Sequence, residues 1–71
     1  MSIGEDRVRT TFNPSSSSVV DRIKQMTAEL IDLCEEEAKK GSQDEQLRLW
    51  SLAQTTYEEA AMWGVKAATM R

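Results

Sequence analysis

The sequence predicts an all-α fold: an antiparallel helical hairpin with an N-terminal arm, assembling into a homo-oligomer. Three observations predict it. Two long apolar stripes recur at helical spacing, a Gly-Ser pair at 41 and 42 separates them, and the 71-residue chain carries no internal staple. A domain of this size is marginal alone and leans on disulfides, a metal or a partner subunit. The lone cysteine, Cys34, permits no internal disulfide, and without a histidine or a cysteine pair no zinc site is readable. Self-association is the staple that remains. The expected organisation is a single domain, 1–71, with an arm over 1–16, a first helix over 17–40 and a second over 42–70.

The arm shows no helical or strand period. It holds Gly4, the Asn13-Pro14 break and the serine run Ser15 to Ser18, and reads as extended chain or loop. From Val19 the pattern changes. Val19, Ile23, Met26, Leu30 and Leu33 recur every three or four residues, and Val20, Thr27, Ile31 and Cys34 widen the same stripe into a broad apolar face. Ser18 is the expected N-cap, with Asp21 where an acid meets the helix dipole. Glu35–Lys39 and Glu36–Lys40 are expected i,i+4 pairs, and Gly41 ends the helix as a left-handed cap. "SQDE", Ser42 to Glu45, then reads as a capping box.

The second helix carries two stripes. One is Leu47, Trp50, Tyr57, Ala61, Gly64 and Ala68; the other is Leu49, Ala53, Ala60, Trp63, Ala67 and Met70. Its length is on the order of 40 Å at 1.5 Å per residue. Ala60, Gly64 and Ala68, four apart, admit a close helix, either the first helix of the same chain or one from another copy. Trp50 and Trp63 read as core or interface anchors, Met26, Met62 and Met70 as core filler, and Cys34 as a small core residue.

No active site is readable. "EEE" at 35–37 fans around a helix as a solvated face, whereas acid–base catalysis needs carboxylates converging in a pocket. Ser15 to Ser18 have no histidine to activate them. The chain is not expected to be an enzyme or to carry a cofactor. No apolar run reaches membrane-spanning length and "MSIGEDRVR" lacks a signal peptide's apolar segment, so no membrane is expected and the compartment is expected to be cytoplasmic. The net charge of −3 argues against duplex nucleic acid as a partner. That total hides a segregation. Arg7, Arg9, Arg22 and Lys24 face only Asp21 over 7–24, whereas nine acids face three bases over 25–59. A basic end on an acidic body suggests a local anion site.

The stretch "TTFNPSSSSVVDRIK" supports two readings. Phe12 is either a staple packing back on the helix or a plate on which a base stacks. The serines are either a tether ending in a cap or a set of donors for phosphate near a helix start, with Lys24 reaching back over the preceding turn. The candidate ligand-binding residues are Phe12, Asn13, Pro14 and Lys24.

"FNPSSSSVVDRIKQMTAELIDLCEE", with "LWSLAQTTYEEAAMWGVKAATM" after a short cap, resembles the phage anti-CBASS cyclic-oligonucleotide sponges, the second anti-CBASS type. The closest part is "TTYEEAAMWGVKA", Thr55 to Ala67, similar to that family's acidic pair, Ala-Met-Trp, basic residue and alanines. The resemblance covers roughly residues 10 to 70. It implies a compact homohexamer of hairpins in the host cytoplasm. It implies binding of cyclic dinucleotides between protomers, in some members of cyclic trinucleotides at separate sites, and sequestration without cleavage. By that resemblance Phe12 stacks on a base and Lys24 meets a phosphate; the family aromatic is commonly tyrosine, and Phe12 keeps the ring without the hydroxyl. The rival class is a small oligomeric helical-hairpin interaction module with no small-molecule ligand.

Overall fold

The computed structural model describes residues 3–8, 18–41 and 43–70. Within them lie three helices and no strand: α1 Ile3–Val8, α2 Ser18–Ala38 and α3 Asp44–Thr69. The two long helices form the expected hairpin. Gly41 turns the chain with φ of 80°, the left-handed region that costs glycine nothing.

The α2–α3 seam is narrow. Ala28, Ile31 and Ala61 form its buried centre, with Ile23 and Tyr57 packed against them. Val20 and Cys34 extend the buried side of α2. Gly64 lies under Ile23: a methyl group there would sit 3.4 Å from two Ile23 carbons, so α3 approaches its own chain's α2 at this point. Buried Gln54 ties the helices midway, its Nε2 donating to the Ile31 carbonyl at 3.2 Å and to Glu35 Oε1 at 3.1 Å. Two partners satisfy a polar group that would otherwise cost stability in the seam.

Several expectations change. Part of the arm is helical: α1 falls inside the segment read as extended chain. Six residues are too few to hold a helix by themselves, and this one is held by α2. Gly4 is buried and its N–H donates to Asp32 Oδ1 at 2.6 Å, supplying an acceptor that the first turn of a helix lacks. Ser18 is the first residue of α2 rather than its cap. At the second helix the cap is Gln43, one residue later than expected, and its N–H donates to Gln46 Oε1 at 3.0 Å; Ser42 lies outside the described residues. A glutamine three residues past a glutamine closes the same reciprocal loop as the serine–glutamate pair. Lys39 pairs with Glu35 as expected at 3.7 Å, but Lys40 pairs with Glu37 at 2.7 Å rather than with Glu36. The helix loosens into the turn there, which brings i,i+3 within reach.

The largest change concerns which side of each helix is inside. Val19, Met26, Leu30 and Leu33 are exposed, as are Leu49, Trp63, Met62 and Met70. Met26, Met62 and Met70 are therefore not filler of the hairpin core. One helix pressed against another covers only part of an apolar face this broad, and the pair settles on its smaller residues, which let the axes come close.

Cys34 is buried, and burial pushes its thiol above the ordinary cysteine range. Thiolate is the reactive form. Native chain should therefore modify with an aromatic disulfide reagent at neutral pH at least about tenfold more slowly than chain in denaturant. Equal rates would place Cys34 outside the seam.

Candidate functional site

All three helices meet at one groove. Arg7 from the last turn of α1, Lys24 from α2, and Glu58, Ala61, Met62, Val65 and Lys66 from α3 line a cavity of about 500 Å³. The α3 residues fall three, four, seven and eight apart from Glu58, which places them on one helical face. Ala61 forms the floor and belongs to the buried centre. The walls carry three cations and one carboxylate in a chain whose net charge is −3. Cations held around a recess lined by Ala61, Met62 and Val65 focus a local positive potential that the overall charge conceals.

Each cation is differently held. Lys24 is half-buried. Lys66 is exposed, and its ammonium lies 5.8 Å from the centroid of the Trp63 ring, within the range at which a cation is drawn to an indole face. Arg7 is half-buried, and its Nη1 is enclosed without a hydrogen-bond partner. Asp21 Oδ1 shares that condition one turn before Lys24. Among the described residues no group of histidine, cysteine, aspartate and glutamate is arranged to hold a metal.

Of the residues expected at the site, Lys24 lies in the groove. Phe12, Asn13 and Pro14 fall outside the described residues, in the stretch that joins α1 to α2. Arg7 and Lys66 were not singled out by sequence. Arg7 was visible as part of the basic N-terminal end and Lys66 as the basic residue of the Trp-containing segment. Neither showed that it would meet Lys24, because that depends on the hairpin and on α1 crossing it.

The family model described as "Acb2/Tad1, hairpin domain" matches residues 3–69. The chain belongs to this family, the anti-CBASS sponges. The match begins at Ile3, so it takes in α1 as well as the hairpin. Family members are binding domains rather than known enzymes. No curated protein and no solved structure matches the chain. Among the described residues no helix is long and apolar enough to cross a membrane.

Proposed function

We propose that this protein is a sponge: it binds cyclic di- and trinucleotide second messengers and holds them intact, depriving a bacterial antiviral effector of its signal in the cytoplasm of the infected host. The observation that carries the reading is the basic groove of Arg7, Lys24 and Lys66 in an acidic member of the anti-CBASS sponge family. A cyclic dinucleotide carries two phosphodiesters and two bases. Lys24 meets a phosphate, Phe12 stacks on a base, and Asn13 and Pro14 complete the set of ligand-binding residues. The protein works as a homo-oligomer, a hexamer of hairpins, and the exposed stripes on α2 and α3 supply its interfaces.

The direct test is calorimetric titration with a panel of cyclic di- and trinucleotides, followed by recovery of intact ligand after the protein is denatured. Phe12→Ala and Lys24→Ala should each weaken cyclic-dinucleotide binding without changing assembly. Stacking on an aromatic contributes about 1–3 kcal/mol and a charge-assisted hydrogen bond about 1.5–3 kcal/mol, so the Lys24 loss is at least about tenfold. Raising the salt should shrink the Lys24 effect and leave most of the Phe12 effect. Two variants that titrate like the parent protein would remove this site.

The exposed apolar stripes also favour a second reading, an oligomeric interaction module with no small-molecule ligand. A melting temperature indifferent to every cyclic nucleotide in the panel would select it.

A further inference from the structure

We propose that Arg7 is itself a ligand for the phosphate in the basic groove, and that the seating of α1 on α2 through Gly4 sets its reach. The inference deepens the proposed function and rests on reading the groove as a site for a phosphate-bearing ligand.

The first observation is the unpaired nitrogen. Nη1 of Arg7 is enclosed by protein and donates to nothing. A guanidinium N–H removed from water without an acceptor costs stability, and such groups are rare in folded chains. The acceptor is not supplied by Glu58, which lines the same groove. A phosphate oxygen entering between Arg7, Lys24 and Lys66 would supply it. Arginine suits this role better than lysine because its planar fork offers parallel donors to two oxygens of one phosphate.

The second observation is how tightly α1 is placed. Gly4 and Arg7 are three apart, so they share one face of the helix. That face is seated with almost no clearance. A methyl group on Gly4 would run into the carbonyl oxygen of Ala28 and lie 2.7 Å from Asp32 Oδ1. The Gly4 N–H is bonded to that same carboxylate. A six-residue helix has little stability of its own, so this contact decides whether Arg7 stands at the groove or swings away with its helix. The short N-terminal helix is therefore a positioning device for a cation.

The test uses two probes on the full chain: a cyclic dinucleotide panel and inorganic pyrophosphate, titrated calorimetrically into wild type, Arg7→Gln, Arg7→Lys and Gly4→Ala. Helicity and oligomeric state are checked for each. Arg7→Gln should weaken both probes at least about tenfold, since a charge-assisted bond is worth more than one decade. Arg7→Lys should recover part of the loss. Gly4→Ala should match Arg7→Gln, and combining the two should cost no more than either alone. The arginine Nε–H resonance of Arg7 should move on addition of pyrophosphate, a readout that does not depend on any variant folding. If wild type binds a cyclic dinucleotide and Arg7→Gln binds it equally well, the inference fails and the sponge reading stands. If wild type binds pyrophosphate through Arg7 but no cyclic dinucleotide, the sponge reading fails and the assignment of Arg7 stands. Binding of neither probe sinks both. Full affinity in a folded Gly4→Ala chain would overturn the role of α1 alone.

Discussion

Ile31→Ala should largely unfold the hairpin. Ile31 is the one large side chain with no exposed surface among the described residues, at 0%, and it sits between Ala28 and Ala61, which are too small to refill the space. Truncating a buried isoleucine to alanine costs about 2–5 kcal/mol, more when the surroundings collapse poorly. A chain of this length has roughly 4–10 kcal/mol of total stability, at about 0.05–0.15 kcal/mol per residue. The loss is therefore a large fraction of the whole, and each kcal/mol lowers the melting temperature by about 4–8 °C in a domain this small. Circular dichroism melts at one fixed protein concentration measure it, because assembly adds its own stability. Leu33→Ala is the control: Leu33 is on the same helix but exposed, so the hairpin should keep its helicity. Indistinguishable melts for the two variants, at a dilution where light scattering finds single chains, would mean that the seam does not lie where Ile31 places it.

That contrast marks where sequence reasoning succeeds and where it stops. Periodicity showed that α2 is apolar over a wide arc, and both Val19-to-Leu33 and Val20-to-Cys34 belong to that arc. It does not rank the two halves, and apolar bulk points to the wrong one: Val19, Met26, Leu30 and Leu33 are the larger set, yet Val20, Ile31 and Cys34 are the buried ones. Small residues decide. Ala28 lay in neither stripe, yet it is buried beside Ile31, and its carbonyl lies against the spot that a methyl group on Gly4 would need. Gly41 was legible because a positive φ selects one residue type strongly. The cap at Gln43 was not, since serine outranks glutamine as an N-cap and local propensity pointed one residue early. Helix α1 was hidden for a physical reason: six residues carry less than two turns of pattern, and what holds them is a bond to Asp32, 28 positions away. The site follows the same division. Lys24, expected from its place after the serine run, lines the groove, whereas Arg7 and Lys66 reach that groove only through tertiary structure.

Trp63→Ala should dissociate the proposed assembly while leaving the hairpin helical. Trp63 is 63% exposed in the single chain. Its own helix covers little of it: the indole N–H donates weakly to Glu59 Oε1 at 3.4 Å, and Lys66 lies over the ring. Leu49 and Met70 are exposed on the same expected stripe, and Met62 beside it. Removing a large aromatic that is buried only on association costs about 3–5 kcal/mol, and every copy carries one. At about 1.4 kcal/mol per decade, each interface weakens by at least about a hundredfold. Light scattering should find wild type well above the 8.0 kDa of one chain and the variant near it, with the far-ultraviolet spectrum retained. A wild type that stayed at one chain's mass at micromolar concentration would overturn the assembly itself. A variant that stayed assembled would leave the assembly resting on the Val19, Met26, Leu30 and Leu33 stripe of α2 without the Trp63 stripe. A third outcome, intact assembly with ligand binding lost, would place Trp63 in the site, and the route is visible in the structure: the ammonium that sits over the indole is Lys66, a wall of the groove.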